Sequence, residues 1–395
     1  MEITVGKSLL QDIFSRVSRV VEQKSISPMA GTVKMHVDDK GLVFTAKGNE
    51  VFVQAIIGDK DFTVTGDKYG VCIPANIFVQ LLPKLPQYFN NLVKLVITPK
   101  SDGDYVLAVT PPDSIDKKSK YQIEVLDGSS FFELPEVDEK NSIILNNEGL
   151  LEIINKVPFA AAEEQYYVPL LGVKFFSKNG QLTTATTDSH RIVELILDLD
   201  KTVSKDVDFL CYANGVEDLK NIFDFGEGIS NVDISYGNSY VKFSQDKKAV
   251  YIRLIDGDFP DYKGGVIPST FVAELEIDST EWLEYIQPAA LLTNVRLIMS
   301  FAPEGVTLVA QSDKGSSLDT FDNIKWLYGP TIKRIMFSAN YLNEQLKKFE
   351  GDTITLKIVG EDSPVIITNG QYLHYLSCIN VKDQNEDEDQ EENEE

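Results

Sequence analysis

Three segments of this 395-residue chain share one local pattern, and that repetition constrains the fold more than any single motif does. IPANIFVQLLPKL, CYANGVEDLKNIF and FSANYLNEQLKKF each follow a short apolar run with Ala-Asn and then apolar residues at helical spacing. Their asparagines, Asn76, Asn214 and Asn340, stand 138 and 126 residues apart. An asparagine oxygen can accept a bond from an orphan backbone N–H, so all three are expected as helix N-caps. A second set opens each unit: the strands EITV, SIIL and VAELEI lead into the helices GKSLLQDIFSRVSRVV, NNEGLLEIINKVPFAA and STEWLEYIQPAALL. Strand pairs around tight turns follow in VKMHVDDKGLVFTA, VKFFSKNGQLTTAT and LIMSFAPEGVTLVA. The pattern predicts an α+β protein made of three tandem copies of one domain, residues 1–138, 139–268 and 269–380. Each copy repeats a helix-plus-strands unit within itself, so six helices are expected. Pro158 and Pro288 fall inside two of them, where the ring removes a hydrogen bond, and a kink or early stop is expected at both.

Composition narrows the function. A hydrophobic content of 43% is ordinary for folded domains, and no apolar run approaches a membrane span. MEITVGKSLL lacks the basic, long apolar and cleavage segments of a secretory signal, so a cytoplasmic protein is expected. Cys72, Cys211 and Cys378 are odd in number and far apart, which predicts buried thiols rather than disulfides or a metal site. Net charge is −24, of which residues 382–395 carry −8, nine carboxylates against one lysine. Residues 381–395 therefore read as a disordered acidic tail. The remaining −16 argues against a protein that grips nucleic acid over its whole surface.

TDSHR, Thr187 to Arg191, is the stretch most suggestive of catalysis. A divergent hydrolase would use Ser189 as nucleophile, His190 as base and Asp188 as orienting group. Consecutive side chains on an extended segment point to opposite faces, however, and no GxSxG elbow is present. His36, His190 and His374 have no metal-ligand spacing. MEITVGKS mimics a phosphate-binding loop, but Met1 stands in place of its first glycine. These residues predict neither catalytic site, cofactor nor metal. A protein-interaction module, or a divergent hydrolase using Asp188 and His190, on a repeated scaffold that forms no ring is kept as the alternative function.

TDSHR and DGDFPDYKGGVIP resemble signatures in the middle domain of the bacterial DNA polymerase III beta subunit, the sliding clamp. The resemblance runs from Met1 to about Asn380, and the tripled architecture agrees with it. It implies a homodimer closed head to tail into a ring, with helices lining the hole and sheets outside. Such a ring encircles double-stranded DNA without reading sequence and tethers the replicative polymerase; a clamp loader is a further partner, and no membrane is involved. The six expected helices sum to a charge of +1, leaving −25 elsewhere. A near-neutral lining inside an acidic exterior suits enclosure and sliding.

The resemblance also implies site residues. A peptide-binding pocket would comprise Leu170, Thr187, Ser189, His190, Arg191 and Ile192, with Pro260 and Val266, and with Tyr341, Pro364, Leu376, Ser377 and Cys378 from the third copy. Arg191 and the hydroxyls of Thr187 and Tyr341 would bond peptide backbone, with Asp188 orienting Arg191, so Arg191→Ala is expected to abolish binding and spare the fold. Lys24 would lie near DNA, with Lys7, Arg16, Arg19, Lys84, Lys347 and Lys348 as further lining candidates. Tyr121 and Ile123 would meet Leu291 and Leu292 of a second copy. Ser189 stands where the family carries glycine, Gly264-Gly265 replaces a basic pair, Glu163-Glu164 makes the lining more acidic, and HYLSCIN departs from the family's apolar last strand.

Overall fold

The computed structural model describes the chain apart from residues 23–26, 90, 102, 114–118, 139–141, 165, 200–205, 294–295, 314, 330 and 380–395. Lys24 and the acidic tail therefore lie outside the described residues. The helices are α1 (Lys7–Val17), α2 (Ala75–Lys84), α3 (Asn147–Lys156), α4 (Ala213–Ile222), α5 (Tyr262–Gly265), α6 (Ser279–Leu292) and α7 (Ala339–Leu346). All but the single-turn α5 fall where the repeat placed a helix. The strand pairs around tight turns form as expected: Thr32–Val37 with Leu42–Lys47, Gly172–Lys178 with Gln181–Thr187, and Leu297–Ala302 with Gly305–Ser312.

The chain divides into two compact units, residues 1–154 with 199–255, and residues 155–198 with the segment from 256 onward. Residues 139–268 are thus shared between the two. In the first unit, one thirteen-stranded antiparallel sheet runs through both repeats it contains. The junction is Lys248–Arg253 against Val51–Ile57, with Val250 opposite Val53. Phe14 of α1 packs edge-on against Phe78 of α2 and Phe44 of the sheet, at ring separations of 4.6 and 6.2 Å. In the second unit, Arg191–Asp198 lies between Gln181–Thr187 and Tyr372–Leu376. The sheet continues through Val365–Thr368, Thr353–Ile358 and Ala273–Asp278 to Ile324–Tyr328. A four-stranded sheet, Gly315–Phe321, Gly305–Ser312, Leu297–Ala302 and Ile332–Phe337, completes this unit, and α6 packs on α7.

Several local expectations need correction. Asn76, Asn214 and Asn340 are not N-caps: their helices begin one residue earlier, capped by Pro74, Tyr212 and Ser338. Pro74 and Tyr212 end strands and Ser338 directly follows one, so all three already hold the non-helical backbone a cap requires, with ψ of 113°, 130° and 117°. Of the three, Ser338 caps with its side chain, accepting from the Tyr341 N–H. α3 does stop before Pro158, which opens a 3₁₀ turn, whereas α6 runs through Pro288 to Leu292. The first helix is shorter than expected, passing into a 3₁₀ turn at Ser18–Val20. Cys72 and Cys211 are buried thiols, and burial pushes Cys72 up to about 11. Cys378 is half-buried, on the segment that follows the last strand.

Candidate functional site

The strand Gln181–Thr187 returns as Arg191–Asp198 through a turn made entirely by TDSHR. Thr187 fixes both ends of it: its hydroxyl donates to the Arg191 carbonyl at 2.6 Å and accepts from the Ser189 N–H at 3.1 Å. Asp188 Oδ1 accepts from the N–H groups of His190 and Arg191, at 2.9 and 3.0 Å. Its Oδ2 accepts from Arg191 Nε at 2.9 Å. Ser189 takes φ +80°, the left-handed region that favours glycine and costs a serine roughly 1 kcal/mol.

Arg191 is buried at 6% exposure, so its charge must be met inside the protein. Beyond Asp188, Nη1 donates to Glu344 Oε2 at 2.6 Å and Nη2 to the Phe159 carbonyl at 3.2 Å. The guanidinium also stacks on two rings, 4.4 Å from the centre of Tyr341 and 5.2 Å from that of Phe159. Tyr341 and Glu344 are one turn apart on α7, which brings both onto Arg191. Burial, followed by Asp188, holds the Tyr341 hydroxyl above its ordinary pKa. His190 is exposed and its ring stacks against Tyr341 at 6.2 Å. Asp188 therefore orients Arg191 and not His190, and the hydrolase relay has no geometry here. The Thr187 hydroxyl and one N–H from each Arg191 nitrogen are engaged within the chain.

The other expected pocket residues lie on elements around this turn. Ile192 and Leu376 are buried on adjacent strands, Arg191 standing opposite Leu376, and the Ser377 N–H donates to the His190 carbonyl at 3.0 Å. Leu170 is buried on a 3₁₀ turn, while Pro260, Pro364 and Cys378 are half-buried and Val266 is exposed. The segment carrying Pro260 and Val266 is tied to the sheet by Tyr262, whose hydroxyl donates to the buried Glu194 carboxylate and whose ring packs with Ala185 and Ile192. Lys263 Nζ reaches the same carboxylate at 2.6 Å. Phe159, Glu194, Tyr262 and Glu344 were missed from sequence. Only Glu344 carried a signal, its i+3 spacing from Tyr341.

The basic candidates separate into two groups. Lys7 Nζ donates to the Leu85 carbonyl at the end of α2, at 3.2 Å. Arg16 Nη1 donates to the Ile222 and Phe223 carbonyls at the end of α4, at 3.1 and 3.2 Å, and its guanidinium pairs with Asp12 and Asp224. Lys348 Nζ donates to the Asn155 carbonyl in the last turn of α3, at 2.6 Å. All three are cations at the electronegative ends of neighbouring helices, where they satisfy orphan carbonyls. Arg19, Lys84 and Lys347 are exposed. Alanine at Lys7, Arg16 or Lys348 is therefore expected to lower stability by about 0.5–2 kcal/mol. Alanine at Arg19, Lys84 or Lys347 should leave urea-unfolding midpoints within about 0.5 kcal/mol of the parent. Equal effects in both groups would remove the distinction.

At the expected dimer surface Leu291 is 83% exposed and Leu292 half-buried, but Ile123 is 7% exposed and already belongs to the first unit's core. Its neighbours Gln122 and Glu124 face outward instead, because side chains alternate along a strand.

Comparison with known proteins agrees with the resemblance read from TDSHR and DGDFPDYKGGVIP. Residues 144–261 match the family model described as DNA polymerase III beta subunit, central domain. A solved putative DNA polymerase III beta subunit from Eubacterium rectale superposes with a TM-score of 0.86 at 21% identity, over 97% of this chain and 100% of that one. The DNA polymerase sliding clamp from Bacillus subtilis gives 0.85 at 23% identity, over 96% and 99%. The fold is therefore that of the polymerase beta subunits, mixed helices with antiparallel sheets. Among sequences, the chain is 22% identical to the beta sliding clamp of Bacillus subtilis, over 93% of this chain and 95% of that protein. It is equally similar, at 22%, to the beta sliding clamp of Streptococcus pneumoniae, over 92% and 94%. These relatives carry the name of a clamp and not of an enzyme. No described helix is long and apolar enough to cross a membrane.

Proposed function

We propose that the protein is a DNA sliding clamp. The observation that carries this reading is similarity along almost the whole chain, in fold and in sequence, to beta sliding clamps. On this reading residues 1–138, 139–268 and 269–380 are three clamp domains, and two copies close head to tail into a ring with helices inside and sheets outside. Double-stranded DNA is held by enclosure. Exposed Arg19, Lys84 and Lys347, with Lys24, would touch phosphates and no base edges, since base readout would arrest sliding. The polymerase and the clamp loader would dock short peptides at the site around Arg191, placing apolar anchors against Leu170, Ile192, Val266 and Leu376, with Tyr341 and His190 at its rim. The protein would work in the cytoplasm.

A sliding clamp must be topologically linked to DNA. Loaded onto nicked circular DNA with a clamp loader and ATP, the protein should remain bound in high salt and leave when the circle is cut. Retention that survives cutting, or tight binding to a short linear duplex at physiological salt, would contradict enclosure. Ring closure is expected to depend on the exposed Leu291, the side chain at this surface with the most area left to bury. Leu291→Ala with Leu292→Ala should yield a folded monomer by sedimentation and abolish retention on circles. A double variant still dimeric at about micromolar concentration would place the interface elsewhere.

A further inference from the structure

Arg191 has three partners, and they are not equally fixed. Asp188 is held in the turn by two backbone N–H groups besides Arg191 Nε, and its side chain is 10% exposed. The Phe159 acceptor is a backbone carbonyl. Glu344 differs: its side chain is 51% exposed, and it reaches Arg191 from a helix rather than from the turn. A carboxylate so exposed can rotate into water at little cost, because exposed ion pairs contribute weakly. The Tyr341 and Phe159 rings add apolar contacts, 4.4 and 5.2 Å from the guanidinium carbon. Of the two carboxylates that meet Arg191, Glu344 is the one exposed to solvent.

We propose that Glu344 is a displaceable internal ligand of Arg191, holding the place of a hydrogen-bond acceptor that a docking peptide supplies. This rests on the peptide-site reading above and adds a specificity determinant to it. The bound peptide would present a backbone carbonyl to Nη1, and Glu344 would swing away from α7. Every peptide therefore competes with Glu344, and its affinity is reduced by the fraction of molecules in which Glu344 holds Nη1. A peptide with an acidic residue beside that carbonyl would meet the displaced carboxylate and bind more weakly.

The test is fluorescence anisotropy with the full-length protein and a labelled glutamine- and leucine-rich peptide, with and without an aspartate beside its leucine. Glu344→Gln is expected to tighten binding of the neutral peptide about two- to fivefold. The gain should be larger for the aspartate peptide, and it should shrink as salt screens the pair in the parent protein. A residue that merely braced α7 would weaken binding when replaced and would show no such salt dependence. Parent and Glu344→Gln binding equally, or the variant binding more weakly, would overturn the proposal while leaving the peptide site standing. Failure of both proteins to bind either peptide would overturn the site and the proposal together.

Discussion

Arg191→Ala is expected to destabilise the protein by about 3–5 kcal/mol, the usual consequence of deleting one partner of a buried ion pair. Asp188, 8% exposed, would be left with its charge and without the guanidinium that meets it. The Phe159 carbonyl would lose its donor, and the rings of Phe159 and Tyr341 would face a cavity in place of the stacked cation. Arg191→Lys should recover only part of the loss, because an ammonium cannot bridge Asp188, Glu344 and Phe159 in one plane. Urea unfolding followed by far-ultraviolet circular dichroism measures the change. An unaltered midpoint for Arg191→Ala, the outcome expected from sequence alone, would show that Arg191 is not a brace.

Acid should weaken the second unit through His374. This residue is fully buried among the rings of Phe159, Phe349 and Tyr372, at centroid distances of 5.9, 4.7 and 4.4 Å. Neither ring nitrogen has a hydrogen-bond partner among the described residues. Burial, reinforced by the positive charges of Arg191, Lys348 and Lys156, holds its pKa well below the usual 6.5. In the unfolded chain the imidazole takes up a proton as pH drops through its ordinary value, whereas in the folded protein it stays neutral. The unfolded state thus binds more protons, and stability present above pH 6.5 is lost as pH falls below it. The slope is about 1.4 kcal/mol per pH unit while the folded imidazole remains unprotonated. His374→Phe removes the titration and keeps a ring in the aromatic cluster. Unfolding midpoints of the parent should drop more than those of the variant between about pH 6.5 and pH 5. Parallel curves would exclude His374 as the source.

What the sequence disclosed, and what it withheld, follows the range of the interactions involved. Hairpins such as VKFFSKNGQLTTAT were readable because the turn residues Asn179 and Gly180, with φ of +56° and +80°, lie between the strands they connect. The break at Pro158 was readable for the same local reason. The N-caps lie two residues before the asparagines because Pro74, Tyr212 and Ser338, at or just past the ends of strands, take their backbone from those strands and not from the helices that follow. Arg16 looked like a lining cation, and the carbonyls it caps lie more than two hundred positions away, at Ile222 and Phe223. Arg191 could be singled out from its motif. Its bonds to Phe159 and Glu344 depend on two segments distant in sequence.

The join between Val51–Ile57 and Lys248–Arg253 has a bearing on how the chain is made. In the finished protein Val51–Ile57 is an interior strand, paired with Leu42–Lys47 on one side and Lys248–Arg253 on the other. During synthesis its second partner is absent until residue 253 leaves the ribosome, which at common elongation rates is a wait of roughly 10–40 s. For that interval the first repeat, even if folded, carries an open strand edge whose inner positions include Val51, Val53, Ala55 and Ile57, all buried in the final structure. An unpaired edge of that kind is a template for pairing with another nascent chain. The first repeat therefore depends for its solubility on residues translated long after it, and truncation before residue 248 would leave that edge permanently open.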